Sequence, residues 1–213
     1  MANYYSDHPE FDFYLNHPEM RRVVDLREKG YADKDQYEDA PVNYEDAIEN
    51  YKRILDITGD VAANIIEPNS ESVDLEGPHL ENKRMIYASK TYENLDATRK
   101  AGLWGISMPR RYGGLNLPNT TFSMLSEIIA AADAGFQNVW SLQSCIDTLY
   151  EFGSEEQRPM FENQGNFGSN RGTFGGGSSF GTNRGSFGGG SFGGGSRGGG
   201  SMGGSRGGFG SRR

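Results

Sequence analysis

Beyond Pro159 the chain offers almost nothing from which a core could be built. Of the 31 glycines in the 213-residue sequence, 22 fall in the last 55 residues and nine in the first 158. Those last 55 positions also hold seven phenylalanines, six arginines, no lysine and one acid, Glu162. They repeat as well: NRGTFGGGSSFGT from Asn170 is followed by NRGSFGGGSFGGG from Asn183, a period of 13. Ordering one residue costs roughly 1–2 kcal/mol of backbone entropy, and scattered Phe side chains in a polar chain bury too little apolar area to offset it. The sequence therefore predicts a folded body over residues 1–158 and a disordered Gly/Ser/Arg/Phe-rich tail over 159–213. Charge divides the same way: the tail carries +5, which leaves −13 for the body of a chain whose total is −8.

A body of 158 residues is long enough for one core. Tyr44, Ile48, Tyr51, Leu55, Thr58, Ala62 and Ile65 alternate steps of four and three, which puts them on one face of a helix. Asn43 is a suitable N-cap for it, with Asp46 three positions on, and Pro68 predicts its end near Glu67. A shorter helix is predicted from Pro18 to Lys29, with Met20, Val23, Val24 and the stem of Arg27 inward and Gly30 as the stop. Pro68, Gly77 and Pro78 predict a loop over 67–88, within which LENKRMIYA can form a short extended pair. Further helices are predicted at Thr91–Ala101, Thr120–Ala134 and Phe136–Phe152, the last two separated or bent at Gly135. In the last, Val139, Leu142, Ile146 and Leu149 form the apolar row and Gly153 the C′ residue. The fold class is thus all-α, a helical bundle. Ser154–Gln157 has the S-x-x-Q form of a capping box, which starts another helix just before the composition changes.

Several chemistries are disfavoured. His8, His17 and His79 have neither metal-ligand spacing nor a nucleophile motif, so no metal site is assigned and exposed loop histidines are expected. Cys145, the single cysteine, reads as helix-core filler. No apolar run approaches a membrane span, and the start has no basic-then-apolar leader, which predicts a cytoplasmic protein. The glycine-rich tail matches phosphate-loop patterns only loosely, because no strand precedes it and no G-K-[ST] occurs.

Three phrases stand in order along the body: A-G-L-x-G-I at Ala101–Ile106, P-x-x-Y-G-G at Pro109–Gly114 and G-S-E-E-Q-[KR] at Gly153–Arg158. Together they resemble the N-terminal helical domain of the flavin-dependent acyl-CoA dehydrogenases, and the resemblance extends back through the helix at Tyr44. It implies a reaction of fatty acid metabolism, the α,β-dehydrogenation of an acyl-CoA thioester, in which a glutamate takes the α proton and FAD accepts hydride. In that family the flavin is recognised by a following β-domain, at a T-E-P-x-A-G-S-D-type segment, and the catalytic glutamate lies in a third, helical domain. Neither is found in this sequence. No catalytic or cofactor-binding residue is assigned: Glu127, Glu151, Glu155 and Glu156 do not match the base, and FAD is not expected to be held by this chain alone. The implied partners are acyl-CoA and the flavin and C-terminal domains. The helix after Gly135 forms one wall of the acyl channel in the family, so the resemblance points Gln137, Asn138 and Ser141 toward substrate; the same positions also suit plain polar residues of a helix surface. A bundle shaped to meet two further domains exposes apolar surface without them, which predicts homo-oligomerisation of the body.

Arginine interleaved with phenylalanine makes the tail similar to those of RNA-binding proteins. Guanidinium groups pair with phosphates, and each Phe offers a stacking platform worth roughly 1–3 kcal/mol per base. The alternative function is therefore weak binding of RNA or single-stranded DNA through Arg171, Phe174, Arg184, Phe187, Arg197 and Arg206. Self-association of the tail, its retention by the acidic body and a plain flexible appendage are the other readings of the same residues.

Overall fold

The computed structural model describes residues 2–154 and 156–157. The tail and its six predicted contact residues, Arg171, Phe174, Arg184, Phe187, Arg197 and Arg206, lie outside them, as do Glu155 and Arg158. In chain order the elements are α1 (Glu10–Leu15), α2 (Pro18–Glu28), α3 (Tyr44–Val61), a π turn (Ala62–Ile66), α4 (Glu67–Glu76), β1 (His79–Glu81), β2 (Arg84–Ile86), α5 (Ser89–Lys100), a 3-10 turn (Arg110–Tyr112), α6 (Asn119–Ala132), α7 (Ala134–Ser141) and α8 (Ser144–Phe152). The helical fold is as expected. The extended pair in LENKRMIYA is also present, as an antiparallel hairpin in which Leu80 faces Met85 and both turn residues, Asn82 and Lys83, have positive φ.

The long apolar row of α3 is buried as its spacing predicts: Ile48, Tyr51, Leu55 and Thr58 all face the core. Asn43 caps the helix by accepting the Asp46 N–H at 2.9 Å. Pro68, however, does not end the helical run. The chain widens into the π turn, where the Glu67 N–H reaches back five residues to the Ala62 carbonyl. That restarts the ladder, so Pro68 falls in the first turn of α4, where a missing N–H costs nothing. The extra residue also shifts the stripe: Ile66, not Ile65, is fully buried. The segment 67–76, expected as loop, is therefore helix, and it is tied to α5 by a buried Asn69–Asn94 hydrogen bond of 2.8 Å.

Around α3 the core gathers Leu125, Ile128 and Ile129 of α6 and Phe136 and Trp140 of α7, with Trp140 stacked on Phe122 at 5.2 Å. The amino-terminal segment completes it with Phe11, Leu15, Met20 and Val24. In α2 Met20 and Val24 are buried as expected, Val23 is partly buried, and the left-handed backbone begins at Lys29, one residue before the predicted Gly30.

The expected single helix Phe136–Phe152 is two. Its break from α6 comes from Asp133, whose extended backbone leaves α6 and whose Oδ1 accepts the Phe136 N–H at 2.9 Å, so Gly135 lies inside α7. Gly153 ends α8 with ordinary negative φ, so it is not a left-handed cap. It is required by a close approach instead, since a Cβ there would lie 2.2 Å from the Leu149 carbonyl oxygen. The capping box is formed reciprocally: the Ser154 N–H donates to Gln157 Oε1 at 2.9 Å and the Gln157 N–H to Ser154 Oγ at 3.3 Å.

Candidate functional site

The segment 103–117, which holds P-R-R-Y-G-G, is laid against α8 by polar side chains. Gln143, buried, accepts the Gly105 N–H at 2.9 Å and donates to the Leu103 and Trp140 carbonyls. One turn on, Asp147 accepts the Ser107 hydroxyl at 2.7 Å. Burial pushes the Asp147 carboxyl above the usual aspartate range, against the lowering effect of that hydrogen bond. One turn further, the Tyr150 hydroxyl accepts from Arg111 at 3.2 Å and its ring meets Tyr112 edge-on at 5.9 Å. Gly114 lets this loop close, because a Cβ there would sit 1.9 Å from the Met108 carbonyl oxygen.

Gln143, which immediately precedes α8, and Asp147 and Tyr150 on it thus mark its inward side, and it is polar. The apolar residues face out: Leu142 is 60% exposed, Leu149 40% and Phe152 86%, with Ile146 between them half-buried. No residue of α8 itself is buried. The predicted row Val139, Leu142, Ile146 and Leu149 therefore does not point to this domain's core; the hydrogen-bonding demand of the 103–117 loop takes the other face.

Gln137, Asn138 and Ser141 lie together on the side of α7 turned away from the buried Phe136 and Trp140. Gln137 and Ser141 are half-buried and Asn138 is exposed. Asn138 donates to the Ala134 carbonyl at 3.1 Å, and Ser141 to the Asn138 carbonyl at 3.3 Å, so both amide and hydroxyl are held along the helix. The structure brings the three to one face, continuous along the chain with exposed Leu142.

Behind the loop lies a buried ion pair. Arg110 reaches Glu28 at 2.6 and 3.0 Å with side chains only 3% and 1% exposed, and it also meets Asp33 at 3.4 Å. Burial works against the Arg110 charge, but the Glu28 carboxylate more than offsets it and holds the guanidinium more firmly protonated than usual. Neighbouring Arg27 donates to the Asn116 carbonyl at 3.1 Å and to the Ser107 carbonyl, while Asn116 donates back to the Arg27 carbonyl at 3.0 Å. The inward stem expected for Arg27 thus ends in a loop clamp. Neither pairing has a local signal, since the partners are some 80 or more positions apart.

Other candidates dissolve into local roles. His8 bonds the Tyr4 carbonyl, and His17 caps α2 by accepting the Glu19 N–H. Among the described residues no group of three or more His, Cys, Asp or Glu could hold a metal. Cys145 is exposed rather than core filler, because Gln143 takes the inward position at the start of α8. Glu127, Glu151 and Glu156 are exposed. No helix among the described residues is long and apolar enough to cross a membrane.

Comparison with known sequences agrees with this geometry. Residues 49–161 match the acyl-CoA dehydrogenase N-terminal domain. Over 115 residues the chain is 28% identical to 3-methylmercaptopropionyl-CoA dehydrogenase of Ruegeria pomeroyi, an alignment covering 54% of this chain. It spans only 20% of that relative's length.

Proposed function

The chain belongs to the acyl-CoA dehydrogenase family through its N-terminal helical domain, and on that premise we propose that its body supplies one wall of an acyl-CoA site whose flavin and catalytic base stand on other domains. The outward apolar row of α8 carries this reading. A segment that directs Gln143, Asp147 and Tyr150 inward and Leu142, Leu149 and Phe152 outward, from the end of α7 through α8, is built to be covered. The covering element is the flavin-binding domain, and Gln137, Asn138 and Ser141 on the adjoining face of α7 look into the acyl channel beside it.

These residues do not hold the flavin themselves. A pyrophosphate is received by free N–H groups at a helix N-terminus, but the start of α7 is already capped by the Asp133 carboxylate. At α8 the Cys145 and Ile146 N–H groups donate to the Leu142 and Gln143 carbonyls. No redox step is therefore assigned to this chain; its part is to bind, orient and exclude water. Purified full-length protein mixed with FAD and desalted is expected to retain no flavin absorbance, and to bind a hydrophobic dye and self-associate through α8. Leu142→Glu with Leu149→Glu is expected to reduce dye binding severalfold. Near-stoichiometric flavin, or dye binding that the two glutamates leave unchanged, overturns the assignment.

The period-13 repeat of Arg and Phe favours a second activity, weak binding of single-stranded nucleic acid by the tail. If all six cations pair with phosphates, log affinity falls against log salt with a slope of about −4, so binding drops steeply between low and moderate salt. RNA mobility shifts at low and moderate salt, with and without residues 159–213, test it; equal binding by both chains removes this reading. A single cysteine suits the reducing cytoplasm, where both activities are placed.

A further inference from the structure

The hairpin of β1 and β2 stands out from the body that carries it. Of its strand residues only Ile86 is half-buried; the others are exposed, Leu80 by 74% and Met85 by 55%. These two lie opposite each other across the strands, so they share one side of the ribbon. The base of the hairpin is nevertheless braced. Glu76, at the end of α4, accepts the Ser89 N–H at 2.9 Å and the Ser89 hydroxyl at 2.7 Å, and Tyr87 meets Tyr92 edge-on at 6.2 Å. A two-stranded ribbon alone is marginal in water, so an apolar pair held outward on a braced one is a surface to be covered.

The turn decides which backbone groups are free. Asn82 and Lys83 both have positive φ, the signature of a type I′ turn, whose flanking residues Glu81 and Arg84 are hydrogen-bonded to each other. Bonded and non-bonded pairs alternate along an antiparallel ribbon, so Leu80 and Met85 turn their N–H and C=O groups away from the hairpin. Among the described residues no backbone hydrogen bond from outside the hairpin reaches them. Each strand therefore presents an open edge.

The sequence of β1 selects what can pair with it. Laid antiparallel on β1 of a second copy, Leu80 exchanges both outward backbone bonds with Leu80 of that copy, and His79 falls opposite Glu81 of the second copy on each side of the two-fold axis. Sliding by two residues would set Leu80 against Pro78, which has no N–H, or against Asn82 in the turn, so the two-fold register is the one that fits. The four strands then carry Met85, Leu80, Leu80 and Met85 as one apolar row, the kind of face that makes a sheet of three or more strands stable. The β2 edge offers less, since pairing about Met85 sets Arg84 against Ile86. An anionic bilayer is a poor cover for a body of charge −13. We propose that β1 is a self-docking edge, through which two copies of this chain join their hairpins into one four-stranded sheet.

This pairing is independent of the α8 surface, and a cross-link specific to its register tests it. Full-length chains carrying Cys145→Ser with His79→Cys, and others carrying Cys145→Ser with Glu81→Cys, are oxidised separately and as a mixture. In the proposed sheet positions 79 and 81 of the two copies are a non-bonded pair with Cα atoms about 4.5 Å apart, inside the disulfide range of about 4.4–6.8 Å. Like positions stand roughly 8 Å apart, beyond that range. The mixture is therefore expected to give severalfold more disulfide-linked dimer than either chain alone, and Leu80→Pro, which removes only an outward N–H, to suppress it. In full-length chains whose α8 contact is removed by Leu142→Glu and Leu149→Glu, Glu81→Lys is expected to weaken dimerisation about five- to tenfold in sedimentation through loss of two cross-strand pairs. Adding His79→Glu, which exchanges the charges, is expected to restore it. No linked dimer in the mixture, equal linkage in the separate samples, or a charge exchange that restores nothing each overturns the proposal. Should Leu80→Pro not fold, the mixture and the charge exchange decide by the same criteria.

Discussion

Arg110 and Glu28 are joined in a fork with almost no solvent around it, so each makes the other's burial tolerable. Removing one partner leaves a buried charge uncompensated, the case in which ion pairs matter most. Arg110→Ala is therefore expected to destabilise the body by about 3–5 kcal/mol in urea denaturation, whereas Arg110→Met combined with Glu28→Leu recovers most of the loss. A cost below about 1 kcal/mol for the single variant would instead place the pair in the range of solvated surface pairs. Asp147 makes the opposite kind of statement. Its folded pKa is raised by burial, so the folded state binds the proton more tightly than the unfolded chain. Stability from this group is present at low pH and falls as pH climbs through the window just above the ordinary aspartate value. Asp147→Asn keeps an oxygen for the Ser107 hydroxyl and removes the charge. It is expected to be more stable than wild type at pH 7 and to lose that advantage in acid, as thermal midpoints across pH would show.

At the scale of elements, local signals decided starts better than ends. Asn43 before α3 and the S-x-x-Q box at Ser154 act in the structure as their chemistry predicts, because a cap needs only three or four residues to be read. Pro68 misled because the π turn before it turns an interior position into a first-turn position, and nothing within the helix repeat announces that widening. The inverted α8 misled for another reason. Periodicity finds an apolar row but not whether this domain or another one covers it, and the polar set Gln143, Asp147, Tyr150 recurs at the same helical spacing. Gln137, Asn138 and Ser141 were singled out by family resemblance and by no local pattern, and the structure shows only that they share one face of α7. Where α6 gives way to α7 the break rests on a single side chain. Asp133→Ala is expected to cost about 1 kcal/mol through loss of the cap on Phe136, with amide exchange accelerating first at residues 134–137. Unchanged exchange there would mean the extended backbone, not the carboxylate, fixes the break.

For the whole molecule the question is where the folding unit begins. The family match starts at residue 49, but the core does not: Phe11, Leu15, Met20 and Val24 are each at most 4% exposed and pack into the same cluster as α3 and α6. Burying four such side chains contributes on the order of 6–12 kcal/mol before entropy is charged against it, comparable with the whole net stability of an ordinary domain. The same segment carries Arg27 and Glu28, which clamp the 103–117 loop, and it is pinned to α3 where Asn3 donates to the Asp56 carbonyl at 3.0 Å. Deleting residues 1–42 is therefore expected to abolish cooperative unfolding rather than lower its midpoint by a few degrees. Gly59→Ala is the gentler test of the same contact. Alanine improves helix propensity by up to about 1 kcal/mol, but its Cβ would stand 2.1 Å from Asn3 Oδ1, so the amino-terminal segment must move. A net loss of stability with faster amide exchange at residues 3–8 is expected. A net gain with unchanged exchange would show that the segment's attachment at α3 contributes little, and that the folding unit begins where the family match does.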